Sequence, residues 1–391
     1  MAETRRQTPK AALFKYLSII VVLSAAAVYG RFRSGPVLEP YVHEVFPEAA
    51  RMEVSDGIYA ALTEQGKLLG WAGVGSASGY GGPLLVIVGI DTEGHVVGAR
   101  VVEHRETPLF LRMARVSRFF ASLTGRSFDR IDYDYEHVVG VTGASRSAGA
   151  ITAGVRAAVM KIAARKFSIQ LSSPERPFEF GILEITLLVL FTIGIASQYL
   201  GSSVSELLRW ASQIVGLLII GFWKNSPLTI AKITALLAGY FPGLRWSVSL
   251  YLLITGFVLT VMIFGTSIYC SHVCPFGAVQ RCIGAVGGRS ARLPTRSVRL
   301  LRGLRNFIVF FAVFSALIVS KPALASYEPF AVVFALKGSL LQWFLLLIVI
   351  LASLVINRPW CRLFCPMRVC ERVLQDARQR GIDYWKARRH D

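Results

Sequence analysis

Six apolar segments constrain this chain more than any other feature of its sequence. A helix needs roughly 20 apolar residues to cross the hydrocarbon layer of a membrane. The chain is 53% hydrophobic, with a mean hydropathy of +0.51, which is high for a water-soluble protein. We therefore predict a polytopic α-helical membrane protein with about six spans. The predicted spans are residues 14–29, 182–200, 210–223, 250–269, 307–320 and 339–356.

A seventh apolar piece, residues 228–240, lies between Pro227 and Pro242 and is too short to cross. We expect it to be re-entrant or interfacial. Basic residues gather on the cytoplasmic side of spans. Six spans place both termini and the arginine-rich stretches, residues 281–305 and the tail from Arg358, in the cytoplasm. The basic residues behind the net charge of +19 then set the orientation of the protein in the membrane and interact with anionic lipid headgroups. The charge therefore does not imply a nucleic-acid partner.

The long polar segment after the first span predicts an α/β domain on the extracytoplasmic side. Strand patterns occupy residues 66–78, 83–94 and 95–106, with a turn at 91–94. Helical patterns occupy residues 109–124 and the stretch from Ser147 onward. The second helix is expected to bury one face, formed by Ile151, Val155, Val159 and Ile162.

We accordingly divide the chain into four parts. They are an N-terminal membrane anchor (1–30), the extracytoplasmic domain (31–178), the transmembrane helices (179–357) and a cytoplasmic tail (358–391).

The pattern Cys-x-x-x-Cys-Pro occurs twice, each time directly after an apolar segment. The two motifs are YCSHVCPFGAVQRC (269–282) and WCRLFCPMRVC (360–370). Cysteines four residues apart face the same side of a helix, and Cys-Pro endings of this kind hold iron–sulfur clusters. Zinc is the competing metal. The predicted ligands are Cys270, Cys274, Cys361 and Cys365; Cys282 and Cys370 can instead complete two three-cysteine sites, so one cluster or two stay open.

The stretch GVTGASRSAGAITAG (140–154) leads from small residues into a helix. The free N–H groups at a helix N-terminus suit a phosphate, although helix capping by Ser145 or Ser147 is the plainer alternative. The TGAS sequence resembles the [Ser/Thr]-Gly-Ala-[Thr/Ser] signature of FMN-binding domains, whose last hydroxyl carries FMN as a phosphoester. SGYGGP (78–83) and HRETP (104–108) resemble the glycine-rich and Glu-Thr-Pro turns of the same domains. The flavin-binding residues so implied are Ser145 (covalent), Thr142, Gly143, Ala144, Ser147, Tyr80, Gly81, Gly82, Glu106 and Thr107.

From about residue 37 to residue 370 the arrangement resembles the NosR/NirI family of membrane flavoproteins. The resemblance implies a covalently bound FMN on a periplasmic domain, a 4Fe-4S cluster, and a multi-pass protein of the bacterial cytoplasmic membrane. It also implies a flavin transferase for FMN attachment. The chain ends 26 residues after Cys365. It therefore resembles short family members without a C-terminal ferredoxin, such as the flavoprotein of reductive dehalogenase systems.

The expected function is electron transfer. Electrons would come from the quinone pool or a cytoplasmic donor and leave through the flavin to an extracytoplasmic reductase or its maturation partner. The alternative is a transmembrane redox-sensing regulator or maturation factor without turnover of its own. A transporter is disfavoured because the spans lack paired charges. We expect His272 at a solvated interface and Glu328 in an outer loop.

Overall fold

The computed structural model describes residues 9–33, 38–78, 83–103, 120–129, 145–171, 180–244, 247–288, 294–336 and 339–388. The chain forms two compact units. The first comprises Met1–Glu175, Thr234–Phe241 and Phe314–Leu324, and the second comprises Arg176–Ile233, Pro242–Val313 and Ala325–Asp391.

The first unit contains an antiparallel five-stranded sheet whose strands follow one another in chain order. Its elements are α1 (Pro9–Arg33), α2 (Glu39–Val45), β1 (Arg51–Ser55), β2 (Ile58–Leu62), β3 (Leu68–Ser78), β4 (Pro83–Asp91), β5 (Val96–Glu103) and α3 (Ser145–Lys166). At the turn after β4, the Asp91 carboxylate accepts hydrogen bonds from the backbone N–H groups of Glu93 and His95, at 2.9 and 2.8 Å.

One hydrophobic cluster joins the sheet to α3 and another joins it to α2. Alternate residues of a strand point to opposite faces of a sheet. In β4, Val86 and Val88 accordingly belong to the α3 cluster, whereas Ile87 belongs to the α2 cluster. The sheet is therefore buried on both sides.

Helix α3 lies unusually close to β3. A side chain at Gly75 would collide with the backbone of Gly154 and Ala158, and one at Gly73 would meet Ile162 at 2.7 Å. Residue numbers rise along β3 while those of the facing part of α3 fall, so the two elements run in opposite directions. The N-terminus of α3 consequently points toward the end of β3.

The structure confirms the three predicted strands and the predicted buried face of α3. Ile151, Val155, Val159 and Ile162 are at most 3% exposed. Strands β1 and β2 were not predicted, because β1 is largely exposed and carries no clear apolar alternation. Residues 109–119 of the predicted helix 109–124 lie outside the described residues.

The second unit is helical in its described part. Helices α6 and α9 extend into segments assigned to the first unit. The helices are α4 (Ile182–Ala196), α5 (Ser202–Gly216), α6 (Ile230–Leu237), α7 (Val248–Phe264), α8 (Pro275–Gly287), α9 (Thr295–Ile318), α10 (Phe330–Ala335), α11 (Leu340–Val355), α12 (Pro359–Leu363) and α13 (Met367–Ala387); π-helical turns occupy Leu217–Trp223 and Tyr269–Val273.

Each predicted span coincides with an apolar helix. Within the described residues, two helices have the length and composition needed to cross a membrane, Ser202–Trp223 and Thr295–Ile318. The other apolar helices are shorter, namely Tyr16–Phe32, Ile182–Ala196, Val248–Phe264 and Leu340–Val355. The structure thus confirms a sheet domain and a set of apolar helices, and six crossings stay a prediction.

Candidate functional site

Three stretches resemble FMN-binding domains, and the strands and helix next to them end or begin at one end of the sheet. Ser78 of β3 pairs with Pro83 of β4, and Glu103 at the end of β5 pairs with Leu85. Helix α3 begins at Ser145 and points to this same end. Ser78, Pro83 and Glu103 therefore lie at the same end of the domain as the N-terminus of α3, and such a helix N-terminus suits a phosphate.

The structure places Ser145 and Ser147 in the first turn of α3. The other predicted flavin contacts lie outside the described residues. These are Tyr80, Gly81, Gly82, Glu106, Thr107, Thr142, Gly143 and Ala144.

The two cysteine motifs form a second candidate site, in the helical unit. Cys270 lies in the π-helical turn after α7, and Cys274 ends that turn with an extended backbone conformation. Pro275 then occupies the first position of α8, where a proline loses no helical hydrogen bond. Cys361 lies in α12, and Cys365 lies two residues after the end of that helix. Each motif thus turns the chain sharply between two helices.

Burial raises the pKa of the Cys270, Cys274, Cys361 and Cys365 thiols, that of Cys361 to about 12. The negative charges of the Cys274 and Cys361 thiolates also raise the pKa of Cys270. Those of Cys270, Cys274 and Cys361 raise the pKa of Cys365. Thiols of the two motifs therefore interact electrostatically with one another. A metal can bind these thiols only after their protons are removed. The affinity of the site for a metal therefore decreases as the pH is lowered.

Hydrogen-bond donors surround these sulfurs. The backbone N–H groups of Phe276 and Gly277 and the Tyr269 hydroxyl donate to Cys274 Sγ, partly offsetting the effect of burial on its pKa. The Gln280 side chain donates to Cys361 Sγ at 3.1 Å. Such donors stabilise thiolate and cluster sulfur, so the donor set fits an iron–sulfur group.

Two buried side chains link the motifs reciprocally. Gln280 and Glu371 each lie six residues after the second cysteine of their own motif (274 to 280, 365 to 371), and each is 1% exposed. Gln280 Oε1 accepts the Trp360 backbone N–H at 3.0 Å, beside Cys361. Glu371 Oε1 accepts the Ser267 backbone N–H at 3.3 Å, three residues before Cys270. A side chain that follows each motif therefore accepts a hydrogen bond from the backbone just before a cysteine of the other motif.

Aromatic side chains pack around the segments that these hydrogen bonds connect. The ring centroid of Phe276 lies 6.2 Å from that of Trp360 and 5.0 Å from that of Phe330. Tyr327 packs 5.9 Å from Trp360, and its hydroxyl donates to the Phe364 carbonyl at 3.1 Å. The Tyr269 hydroxyl accepts the Leu228 backbone N–H at 3.0 Å. The chain before α6 and the chain before α10 therefore both reach the cysteine site.

A mononuclear metal requires several donors around one point at about 2.3 Å from the ion when they are thiolates. Within the described residues, no three His, Cys, Asp or Glu side chains are grouped in that way. In a 4Fe-4S cluster the cysteines bind separate irons, so this geometric criterion does not apply to such a cluster. Cys282 and Cys370 are partly buried.

The expectation that His272 lies at a solvated interface was wrong. His272 is fully buried, with its Nε2 3.0 Å from Ser197 Oγ and its Nδ1 2.9 Å from Ser271 Oγ. Burial lowers its pKa to about 4, so the imidazole is neutral. Glu328 is also buried, accepts the Ile230 backbone N–H at 2.9 Å, and has its pKa raised by burial to about 8.

Comparison with known proteins supports both sites. Residues 79–160 match the FMN-binding domain family, and residues 246–294 and 340–380 match a 4Fe-4S binding domain family. The first range includes Ser145, and the second pair of ranges includes all six cysteines. The cofactors of the chain are therefore FMN and a 4Fe-4S cluster.

More particularly, the chain is a relative of the NirI and NosR proteins, as the sequence resemblance predicted. It is 28% identical to Protein NirI of Paracoccus denitrificans over 167 residues, 39% of this chain and 24% of NirI. It is 24% identical to Regulatory protein NosR of Pseudomonas aeruginosa over 233 residues, 55% of this chain and 32% of NosR.

A further relative is the Putative electron transport protein YccM of Escherichia coli, with 27% identity over 147 residues, 34% of this chain and 40% of YccM. The matched regions thus span a quarter to two fifths of these relatives.

Replacement of Gln280 by leucine should weaken cluster binding. It would leave the buried Trp360 N–H without an acceptor, at a cost of about 1–3 kcal/mol, and Cys361 Sγ without its amide donor. We expect iron to be lost to a chelator faster than from the wild type, measured as iron and sulfide per chain over time. Gln379→Leu, at an exposed position of α13, is the control and should behave like the wild type. Equal retention in both variants would contradict the role of Gln280.

Proposed function

We propose that this chain is a transmembrane electron-transfer flavoprotein of the bacterial cytoplasmic membrane. It would take electrons from quinol or a cytoplasmic donor and pass them through a cysteine-ligated 4Fe-4S cluster to a covalently bound FMN. An extracytoplasmic reductase or its maturation partner would accept them. The observation that carries the proposal is the presence on one chain of an FMN-binding domain and of a buried, interlocked group of thiols.

We propose six spans, with both termini in the cytoplasm and the FMN domain in the periplasm. The coincidence of every predicted span with an apolar helix supports this arrangement, as do the basic segments that it places inside. Helix α6 has only eight residues and cannot cross. The hydrogen bond from the Leu228 backbone N–H, two residues before α6, to the Tyr269 hydroxyl supports a re-entrant path for residues 228–240.

We propose Cys270, Cys274, Cys361 and Cys365 as the ligands of one shared cluster. The reciprocal hydrogen bonds of Gln280 and Glu371 support a single site built from both motifs. The cluster would supply one-electron transfer. The protein residues would hold the thiolates, donate N–H groups to sulfur and exclude water with the surrounding aromatic rings.

We propose that Ser145 Oγ carries FMN as a phosphoester, formed by a flavin transferase. The position of Ser145 as the first residue of α3, at the same end of the sheet as Ser78, Pro83 and Glu103, supports this assignment. The positive end of the helix dipole would favour the phosphate. Tyr80, Gly81, Gly82, Glu106, Thr107, Thr142, Gly143, Ala144 and Ser147 are proposed to line the flavin site.

The intact mass of the purified chain tests the flavin linkage. The wild type should carry one FMN-sized adduct, and Ser145→Ala should lack it because the acceptor hydroxyl is gone. Ser55→Ala, at an exposed position of β1 in the same unit, is the control and should keep the adduct. An adduct that persists in Ser145→Ala would exclude this residue as the acceptor.

Single cysteine replacements test the shared cluster. Cys274→Ala and Cys365→Ala belong to different motifs, yet each should remove the iron and sulfide, since both pairs hold one group. Cys282→Ser and Cys370→Ser should retain wild-type iron. If either serine variant instead loses about half of the iron, the protein has two three-cysteine sites.

A redox-sensing regulator is the second candidate function, favoured by the name of Regulatory protein NosR among the relatives. Anaerobic mixing with a soluble quinol separates the two. An electron-transfer protein should show bleaching of the flavin absorbance, and Cys274→Ala should abolish that bleaching. A protein that contains both cofactors but shows no flavin reduction by quinol would support the regulator.

A further inference from the structure

Gln280 is a buried side chain whose amide reaches a cysteine of the other motif. It lies in α8, after the first motif, and is 1% exposed. Its Oε1 accepts the Trp360 backbone N–H at 3.0 Å, and its Nε2 lies 3.1 Å from Cys361 Sγ. One amide therefore binds the backbone of one residue of the second motif and the sulfur of the next.

The hydrogen bond to Trp360 fixes the orientation of the Gln280 amide. A backbone N–H can only donate, so the amide atom that meets it is the oxygen. The amide nitrogen carries two N–H donors, and it is then the atom turned toward Cys361 Sγ. The fold thus sets an N–H···S hydrogen bond at this cysteine, because exchanging the two ends of the amide would place two donors against each other.

Glu371, at the equivalent position after the second motif, shows why residue 280 is an amide. Its Oε1 accepts the Ser267 backbone N–H at 3.3 Å, and its Oε2 accepts a hydrogen bond from Arg368 at 2.6 Å. A carboxylate has no hydrogen to donate to a sulfur. A side chain with both an acceptor oxygen and N–H donors is needed to serve Trp360 and Cys361 at once.

An N–H donor at a ligand sulfur favours the reduced form of a cluster. Reduction adds an electron, and hydrogen bonds become stronger as the acceptor gains negative charge. Hydrogen bonds to sulfur are among the factors that set the potential of iron–sulfur clusters. Their effect is larger at a buried site, where water does not screen them.

We infer that Gln280 raises the reduction potential of the cluster through its hydrogen bond to Cys361. This role deepens the proposed function and rests on ligation of the cluster by Cys361. A higher potential makes electron transfer from quinol to the cluster more favourable. A residue that follows the first motif thus adjusts a ligand supplied by the second.

Redox titration of the full-length protein, followed by the electron paramagnetic resonance signal of the reduced cluster, tests this role. Gln280→Met keeps a long unbranched side chain but has no N–H. It should lower the equilibrium constant for one-electron reduction about threefold, which is about 28 mV at about 59 mV per tenfold change. Gln379→Met, at an exposed position of α13, is the matched control and should leave the constant unchanged. An unchanged or higher constant in Gln280→Met would overturn the inference.

Labelling of the glutamine side-chain amides with ¹⁵N gives a readout that a purely structural role of Gln280 would not produce. Electron–nuclear double resonance of the reduced cluster should detect a ¹⁵N coupling transmitted through the N–H···S bond. Gln379→Met should keep the coupling and Gln280→Met should lose it. The other glutamine amides with a described hydrogen bond donate to oxygen, namely those of Gln198, Gln213, Gln342, Gln375 and Gln379.

The labelled wild type decides the outcome if Gln280→Met loses its iron. A wild-type cluster that shows the ¹⁵N coupling would support the inference, and one without it would overturn the inference. Failure of the proposed ligation has a different signature, because the wild type would then contain no iron, or Cys361→Ala would keep the full iron content.

Discussion

The cysteine site depends on hydrogen bonds that cross between two motifs roughly ninety residues apart in the chain (270 to 361). Gln280 and Glu371 have equivalent positions in the two motifs, and each binds a backbone N–H that leads into the other. A buried N–H left without an acceptor is costly, so neither motif can take up its conformation fully without the other. This mutual dependence explains how two distant segments that each contain a Cys-x-x-x-Cys-Pro motif are held together.

The equivalent residues differ in charge, and that difference makes the site electrically uneven. Gln280 is neutral and donates to Cys361, whereas the Glu371 carboxylate pairs with Arg368 and acts on Cys270. Electrostatic interactions are strong where water is excluded. The charges around the two motifs are therefore unequal, with the carboxylate acting on Cys270 and a neutral amide on Cys361.

Residues close in sequence could be predicted better than contacts between distant ones. The strands and the buried face of α3 follow from local periodicity, and the repeated cysteine spacing indicates a metal site without any structure. The equal placement of Gln280 and Glu371 was a signal available in the sequence, but their partners are set by long-range packing. The prediction for His272 was wrong because we expected a polar side chain to be exposed to water. In the structure its two ring nitrogens instead form hydrogen bonds with Ser197 and Ser271 in the interior of the protein.

The path of the short loops bears on how electrons cross the membrane. Under the proposed topology, the loops that contain Leu228 and Tyr327 begin at the outer face, and both touch the cysteine site, which is reached from the inner face. A site where loops from opposite faces meet lies within the hydrocarbon layer, which is about 30 Å thick. The insulating distance from the cluster to the outer face is then only part of that thickness. Burial of the thiols is what such a position demands, because water would not be there to solvate them.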